Sequence, residues 1–354
     1  MTSSISISAD GERLLVVDLV STSRNWALKA DGEALIRQAA PPGWRVYFVR
    51  ATTTSDGDGS PTPSAEALRV IAEAEAYFGF GISRALFLAG ARLRWVHSAT
   101  AGMGKLLFPE MVESDVLLSN SAGVHGPPIA ESALAGVMHF LRGLDVAIDQ
   151  QRAGLWDKQF FVSGDSPLRE VADCRVLVIG AGGIGSEVAQ RFTALGATCV
   201  GVRRNPARGV PPGFARVVGP DATDAELPAA DVVVIAAPMT AETDGLLNAA
   251  RLDLLPRHAI VVNVARGTLV DEAALTARLE DGRLRGAVLD VFDQEPLAPS
   301  SRLWQLRSAL LTPHISAVSP LRFWPRQLAL FADNWNRYVR GEPLRNLVDK
   351  HAGY

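Results

Sequence analysis

The chain lacks the features that mark secreted, membrane and disulfide-linked proteins. It has two cysteines among 354 residues, Cys174 and Cys199, and each lies in an apolar run that predicts a strand, so we expect buried, inert thiols in a reducing compartment. No apolar run is long enough to cross a bilayer, which predicts that nothing spans a membrane. The opening stretch MTSSISISADGERLL lacks the basic segment and apolar core of a signal peptide. These absences predict a cytoplasmic protein.

Charge of one sign and reactive clusters are also scarce. The formal net charge is -3, and no region concentrates lysine and arginine, so we expect no nucleic-acid partner. The chain has no His-Glu-x-x-His motif, cysteine cluster or carboxylate cage, and we therefore expect no metal site. It also has no Gly-x-Ser-x-Gly motif, which argues against a serine hydrolase of that type.

What the chain does have is an alternation of short apolar runs with longer helical patterns. At 354 residues it is too long for one ordinary core, so two domains are expected. The alternation favours α/β domains with parallel sheets. A first series of strands is predicted at 14–20, 44–49, 76–80, 94–97 and 115–120. A second series is predicted at 174–180, 197–202, 230–238, 259–265, 286–292 and 309–313. Between the two series, 129–152 predicts one long helix that is buried on several sides.

A glycine-rich turn opens the second series. Gly180, Gly182 and Gly185 form Gly-x-Gly-x-x-Gly directly after a predicted strand and at the start of a predicted helix. The first glycine permits a tight turn, the second lets a pyrophosphate approach the backbone, and the third lets helix and strand pack closely. The helix then offers free N–H groups and its positive end to the phosphates. This context predicts a dinucleotide site.

Three polar residues follow apolar runs of the second series where those strands are expected to end. Arg266, Glu295 and His314 come after the first, second and last of the final three runs respectively. Ligands bind at the carboxyl edge of open parallel sheets. A guanidinium can hold a carboxylate and polarise a neighbouring carbonyl, and a histidine can exchange the proton on that oxygen. A carboxylate beside the histidine favours the imidazolium and fixes its orientation. Around a nicotinamide, this set predicts reversible reduction of a 2-keto acid.

In order along the chain, these motifs resemble those of the D-isomer-specific 2-hydroxyacid dehydrogenases, in particular the glyoxylate/hydroxypyruvate reductase-like branch. The stretches that carry the resemblance are VLVIGAGGIGSEVAQR, VVVIAAPMTAETDGLLN, VVNVARGTLVDEAAL, GAVLDVFDQEPL and LLTPHIS. The resemblance implies two Rossmann-like or flavodoxin-like parallel-sheet domains. A dinucleotide-binding domain (126–316) would be inserted into a discontinuous substrate domain (1–125 and 317–354). It also implies a homodimer, with the helix containing Glu131 as the dimerisation and inter-domain element.

The resemblance implies roles for further residues. The backbone amides of Ala101 and Gly102, in the stretch HSATAGMG, would hold the substrate carboxylate together with Arg266. The residues implied to contact the cofactor are Gly183 and Ile184 at the pyrophosphate, Val264, Ala265 and Asp290 at the nicotinamide end, and Pro238 and Thr243 on the adenosine side. Glu295 stands where formate dehydrogenases of the same fold carry glutamine, which argues against formate as the substrate.

The cofactor is predicted from the residues after the second strand of the glycine-turn unit. An NAD site usually has an acidic residue there, whereas this chain has Arg203 and Arg204. A guanidinium can pair with a ribose 2′-phosphate, so we expect NADP (NADPH), with NAD as the alternative. The predicted activity is that of an NADP-dependent 2-keto acid reductase of the glyoxylate or hydroxypyruvate type. Two alternatives stay open: NAD-dependent oxidation of a dedicated hydroxy acid of the phosphoglycerate type, and a cofactor-sensing regulator on the same fold.

Overall fold

The computed structural model describes residues 12–21, 26–51, 62–103 and 106–353, and the chain divides into two compact units. The flanking unit comprises Met1–Val124 and Ser319–Tyr354, and the inserted unit comprises His125–Val318. Most of the N-terminal stretch in which no signal peptide is expected, and Gly104 of the expected substrate loop, lie outside the described residues.

The flanking unit is built on a five-stranded parallel sheet in the order β2-β1-β3-β4-β5. Its strands are β1 (Arg13–Asp18), β2 (Trp44–Phe48), β3 (Ala76–Gly79), β4 (Trp95–Ser98) and β5 (Leu117–Ser119). Its helices are α1 (Ala30–Gln38), α2 (Ala65–Val70), α3 (Arg84–Ala89), α4 (Pro109–Val112) and, from the C-terminal segment, α12 (Phe323–Arg340). Phe331 of α12 stacks on Phe78 of β3 and on Trp95 of β4, with ring centroids 4.1 and 5.5 Å apart. These buried aromatic contacts place the C-terminal helix in the core of the unit that the N-terminal residues form.

The inserted unit is built on a seven-stranded parallel sheet in the order β12-β11-β10-β9-β6-β7-β8. Its strands are β6 (Arg175–Ile179), β7 (Thr198–Val202), β8 (Arg216–Val218), β9 (Val232–Ile235), β10 (Ile260–Asn263), β11 (Gly286–Leu289) and β12 (Ala309–Leu311). Its helices are α5 (Gly126–Leu141), α6 (Leu144–Ala153), α7 (Gln159–Val162), α8 (Gly183–Ala194), α9 (Thr223–Glu226), α10 (Ala249–Asp253) and α11 (Glu272–Glu280). The strand order reverses beside β6, between β7 and β9, which is where open α/β sheets bind ligands.

The strands of the inserted unit are apolar on both faces because both faces are covered. In β6, Val176 and Val178 belong to the hydrophobic cluster that includes α5 and α8, whereas Leu177 and Ile179 belong to the cluster on the opposite face. Successive side chains of a strand point to opposite faces, so a continuous apolar run is required when both are buried. The predicted fold class, α/β with two parallel-sheet domains, is confirmed.

Two sequence-based predictions about single elements are wrong. The long helix predicted at 129–152 is two helices, because Gly143 adopts a left-handed conformation (φ 66°) that ends α5 and begins α6. The second strand series has seven members where six were predicted. The additional one, β8, is a half-exposed edge strand of three residues and pairs with β7 alone, so it carries no apolar run. Among the described helices, none combines the length and apolar character that a membrane span requires.

Candidate active site

The glycine turn lies between β6 and α8, beside the reversal of the strand order. Gly180 has φ 109°, and a Cβ there would come within 2.5 Å of the Ala236 backbone. A Cβ on Gly185 would lie 2.1 Å from the Gly180 carbonyl oxygen. A Cβ on Gly182, by contrast, would meet no atom within 4 Å, and Gly182 and Gly183 are exposed. The outer glycines are therefore required by packing, while the middle one leaves open space in front of the helix N-terminus, next to Ile184.

The two arginines come directly after β7. Arg203 donates from its guanidinium to the Gly209 carbonyl at 3.4 Å, and the guanidinium of Arg204 lies 3.7 Å from the carboxylate of Glu242. The Arg204 side chain is 55% exposed. β7 is parallel to β6, so these arginines lie on the same edge of the sheet as the glycine turn. No acidic residue occurs between this point and Asp221.

Arg266 lies at the end of a turn that follows β10. A Cβ on the next residue, Gly267, would overlap the backbone of Phe292 at 1.9 Å, so only glycine fits there. Asn263, the last residue of β10, accepts a hydrogen bond from the amide of Ala265 (3.2 Å) and donates to the Arg266 carbonyl (2.8 Å). The Arg266 guanidinium donates to the Ala265 carbonyl at 2.6 Å and is exposed. Asn263 thus shapes the turn that presents Arg266.

Glu295 and His314 form a hydrogen-bonded pair. Nδ1 of His314 lies 2.7 Å from Oε2 of Glu295, and Oε1 of Glu295 accepts from the amide of Phe292 at 3.1 Å. Because an ionised carboxylate only accepts hydrogen bonds, Nδ1 carries the hydrogen and Nε2 is the nitrogen left for chemistry. Glu295 follows β11 and His314 follows β12, and these strands are neighbours next to β10. The sheet therefore brings the ends of all three predicted strands to adjacent positions on one edge.

His314 has an unusual backbone conformation, with φ 52°, and Asp290 holds the loop that contains it. The Asp290 side chain is 2% exposed. Its Oδ1 accepts from Thr312 Oγ1 (2.5 Å) and from the amide of Ile315 (2.9 Å). Its Oδ2 accepts from the amide of Ser316 (3.0 Å) and from the Ser316 hydroxyl, and its carbonyl accepts from the His314 amide (2.9 Å). This set of bonds fixes a conformation that a histidine rarely adopts.

The other cofactor-side residues lie on the same edge. Val264 and Ala265 are buried in the turn after β10. Pro238 is exposed in the loop after β9, and the Thr243 hydroxyl donates to the Pro238 carbonyl at 2.8 Å. Thr243 therefore closes the loop that carries Pro238.

The flanking unit contains the expected substrate loop, which follows β4. Ala101 is partly exposed and Gly102 is exposed. His97, near the end of β4, is completely buried, and its Nδ1 lies 2.8 Å from the Ser119 hydroxyl. Burial lowers the pKa of His97 to about 3, so its imidazole is neutral. It is a packing residue between aromatic rings of Phe78 and Trp95.

Sequence reasoning missed the residues that support the site, and it named Asp290 only as a cofactor contact. Asn263 and Asp290 are polar residues inside or directly after apolar strands, at VVNVA and VLDVF, and that interruption is the signal that could have found their supporting role. Thr312 and Ser316 carry no such signal, because their role depends on Asp290, which directly follows the neighbouring strand. No group of three or more metal-binding side chains occurs in the part of the chain that the structure describes.

Residues 134–316 match the profile of the "D-isomer specific 2-hydroxyacid dehydrogenase, NAD binding domain". The glyoxylate/hydroxypyruvate reductase A of Salmonella newport is 34% identical over 277 residues, which cover 75% of this chain and 84% of that protein. The chain belongs to the D-isomer specific 2-hydroxyacid dehydrogenase family. It is an NAD(P)-dependent oxidoreductase of 2-hydroxy acids, and it resembles the glyoxylate/hydroxypyruvate reductase A branch.

Solved structures of family members share this fold. One is a family member from Xanthobacter autotrophicus Py2 in complex with NADPH and MES, which is 30% identical to this chain and has a TM-score of 0.76. The match covers 97% of this chain and 100% of that chain. An NADPH-dependent glyoxylate/hydroxypyruvate reductase from Sinorhizobium meliloti, in complex with NADP and sulfate, is 26% identical with a TM-score of 0.73. This match covers 97% of this chain and 100% of the Sinorhizobium meliloti chain. The resemblance seen in the five sequence motifs is thereby confirmed.

Proposed function

We propose that this enzyme is an NADP-dependent reductase of 2-keto acids of the glyoxylate or hydroxypyruvate type, and that it forms D-2-hydroxy acids. The observation that carries the chemistry is the hydrogen-bonded pair of Glu295 and His314. These residues follow β11 and β12, and Arg266 follows β10, the next strand in the sheet. One edge of the sheet thus carries a proton donor, a carboxylate that orients this donor, and a cation.

Each of the three side chains has a distinct role in reduction. Arg266 binds the substrate carboxylate and polarises the keto oxygen. The amides of Ala101 and Gly102 are, by resemblance to the family, donors to a substrate carboxylate. His314 transfers the proton on Nε2 to the keto oxygen as that oxygen gains negative charge. Glu295 accepts a hydrogen bond from the Nδ1–H group of His314. This bond orients the ring and stabilises the imidazolium before the proton is transferred. Nε2 is deprotonated at the end of the step and regains its proton from water.

The residues at the glycine turn fit a dinucleotide. Open space in front of Gly182 admits a pyrophosphate, and the amides of Gly183 and Ile184 at the start of α8 would donate to it. Val264, Ala265 and Asp290 would hold the nicotinamide end, and Pro238 and Thr243 the adenosine side. When bound, the reduced nicotinamide supplies the hydride that the substrate carbon receives.

The preference for NADP rests on Arg203 and Arg204. Both follow β7, where an NAD enzyme usually presents a carboxylate to the ribose. Glu242, the carboxylate near Arg204, is on an exposed loop, and a 2′-phosphate would replace it as the partner of that guanidinium. The family members from Xanthobacter autotrophicus Py2 and Sinorhizobium meliloti, which hold NADPH and NADP, support the same assignment.

A panel of 2-keto acids, assayed with NADPH and with NADH, tests the proposal. We expect glyoxylate and hydroxypyruvate to be reduced with a higher kcat/KM for NADPH than for NADH. The double variant Arg203→Ala/Arg204→Ala should raise the KM for NADPH about tenfold, because a charge-assisted hydrogen bond contributes about 1.5 kcal/mol or more. Arg208→Ala, a nearby exposed arginine, is the matched control.

The panel also separates the alternatives. A higher kcat/KM for NADH would favour the NAD-dependent oxidation of a dedicated hydroxy acid. Binding of NADPH without reduction of any 2-keto acid would favour a cofactor-sensing regulator. An equal effect of the double arginine variant on both cofactors would mean that no 2′-phosphate binds at the end of β7.

We also propose that the enzyme is a homodimer, and that α6 with the segment after it contributes to the interface. This part of the inserted unit exposes several large apolar side chains, and such clusters mark association surfaces. They are Leu144, Ile148, Leu155, Trp156 and Val162, of which Trp156 is 90% exposed. Sedimentation of the wild type should give a dimer, and Trp156→Asp should weaken it. A monomeric wild type would overturn the proposal.

A further inference from the structure

The loop that follows β4 is held through its carbonyl oxygens. The amide of Ser121 donates to the Thr100 carbonyl at 3.0 Å. The side-chain Nδ2 of Asn120 donates to the Ala101 carbonyl, also at 3.0 Å. Both donors belong to the turn that follows β5, the neighbouring strand in the sheet. Two successive peptide units of the loop are thus fixed by one turn.

Fixing these carbonyls also fixes the direction of the next two N–H groups. In a trans peptide, the carbonyl oxygen and the following N–H point in opposite directions. The bond to the Thr100 carbonyl therefore aims the N–H of Ala101 away from the turn, and the bond to the Ala101 carbonyl does the same for the N–H of Gly102. Neither N–H has a hydrogen-bond acceptor among the described residues of the unit. Two adjacent donors facing one side suit an anion such as a carboxylate.

Asn120 is itself held at every polar group. Its side chain is 7% exposed, and its Oδ1 accepts from the amide of Ala122 at 3.0 Å. Its backbone amide donates to the carbonyl of Asn346 at 3.1 Å. In return, Nδ2 of Asn346 donates to the carbonyls of Asn120 (3.3 Å) and Ala122 (2.8 Å). Asn120 therefore joins the loop after β4 to the C-terminal segment.

Asn346 is suited to this place by its backbone. It has φ 52°, a left-handed conformation that asparagine tolerates better than most residues. On its C-terminal side, Leu347 bridges to Ser119, and the amide of Val348 donates to the Leu118 carbonyl at 2.8 Å. The C-terminal segment is thus attached to β5 directly before the turn that carries Asn120.

We propose that Asn120 is a positioning residue for substrate binding: it aims the amide of Gly102 at the substrate carboxylate, and Asn346 holds Asn120 in place. The inference rests on the proposed function, in which the amides of Ala101 and Gly102 bind that carboxylate. A carboxamide is required at position 120, because one side chain must donate to the Ala101 carbonyl and accept from the Ala122 amide. An aspartate could do only the second.

The test compares Asn120→Ala and Asn346→Gly with the wild type and with Asn336→Ala. Asn336 is an exposed asparagine of α12 whose Nδ2 bonds only within its own helix, to the Ala332 carbonyl, so it is a matched control. Glycine at 346 keeps the left-handed backbone and removes only the side-chain bonds. The measurements are kcat and KM for glyoxylate with NADPH, the Kd of NADPH, and the calorimetric Kd of oxalate, an unreactive dicarboxylate.

We expect Asn120→Ala to raise the KM for glyoxylate and the Kd of oxalate about tenfold, since one hydrogen bond to a charged ligand is misdirected. Asn346→Gly should raise both about threefold, and Asn336→Ala should change neither. The Kd of NADPH should stay the same in all variants. An unchanged Kd of oxalate in a folded Asn120→Ala protein would overturn the inference, as would an equal rise in the Kd of NADPH, which indicates a general structural role.

The oxalate measurement separates this inference from the proposed function. If the wild type binds oxalate but reduces no 2-keto acid, the proposed function fails, and the variants still test the aim of the Gly102 amide. If the wild type does not bind oxalate, the inference fails as well. Should Asn120→Ala not fold, Asn120→Ser, which keeps a small polar side chain, and Asn346→Gly decide the question.

Discussion

Two histidine–carboxylate pairs lie at opposite edges of the seven-stranded sheet, and their geometry is nearly the same. The distance is 2.7 Å in both, between Nδ1 of His314 and Glu295 and between Nε2 of His258 and Asp231. The two histidine side chains are 48% and 46% exposed. Neither the distance nor the exposure of the histidine therefore distinguishes a catalytic pair from a structural one.

The partners of the carboxylates do distinguish them. Asp231 also accepts hydrogen bonds from the guanidinium of Arg169 and, at 2.7 Å, from the amide of Arg175. A permanent cation therefore neutralises its charge. Asp231 directly precedes β9 and Arg175 begins β6, so the second bond links the beginnings of these two strands. Among the residues that the structure describes, Glu295 has only the backbone amide of Phe292 as a hydrogen-bond donor besides its histidine. This difference is what the proposed function requires: a pair at the carboxyl edge without a permanent cation, and a pair at the amino edge that holds strands together.

Replacing the two histidines is the strongest way to test this contrast. His314→Ala should lower kcat for glyoxylate about a thousandfold, since general acid catalysis contributes about 10²–10⁴-fold, and should leave the Kd of NADPH unchanged. His258→Ala is the matched control, with kcat within about twofold of the wild type. Comparable losses of kcat in both variants, in steady-state assays of folded protein, would contradict the assignment of catalysis to one edge.

Asp290→Asn tests whether the hydrogen bonds that hold the loop around His314 affect kcat. An amide nitrogen would replace one carboxylate oxygen and face N–H and O–H donors, so the loop from Thr312 to Ser316 would lose at least one bond. We expect kcat to fall about a hundredfold, because a displacement of about 1 Å at a catalytic group costs about that much.

The readout that identifies positioning is the comparison with His314→Ala. If Asp290 acts only through His314, the double variant should be no slower than His314→Ala alone, because residues that act as a unit are not additive. Multiplicative losses would mean that Asp290 has an independent role, for example in contact with the nicotinamide.

The sequence predicted the sheet and the three strand-end residues, because these depend on local patterns. Continuous apolar runs identify buried strands, and the residue after each run identifies the edge. It could not predict the loop around His314, because Asp290 bonds to residues 22 to 26 positions later, in the loop after a neighbouring strand, and only the fold brings them together. The break at Gly143 was missed for a related reason: apolar spacing continues through it, although the backbone does not.

Asp231→Asn is expected to have the smallest effect on activity and an effect on stability instead. Burial alone would raise the pKa of Asp231, but the hydrogen bonds from the Arg175 amide, Arg169 and His258 outweigh it and hold that pKa below its ordinary value of 3.8. A carboxyl with a lowered pKa stabilises the folded state above its unfolded pKa, and this contribution is lost as the pH falls through the folded value. The free energy of unfolding of the variant should therefore be about 1–3 kcal/mol lower than that of the wild type at pH 7, because a buried set of charged hydrogen bonds is disturbed. Its kcat should stay near that of the wild type.

Denaturant unfolding from pH 7 to pH 3 measures this effect. The difference in the free energy of unfolding between wild type and variant should shrink below about pH 4. A constant difference across that range would mean that packing around Asp231, and not its charge, holds the amino edge together.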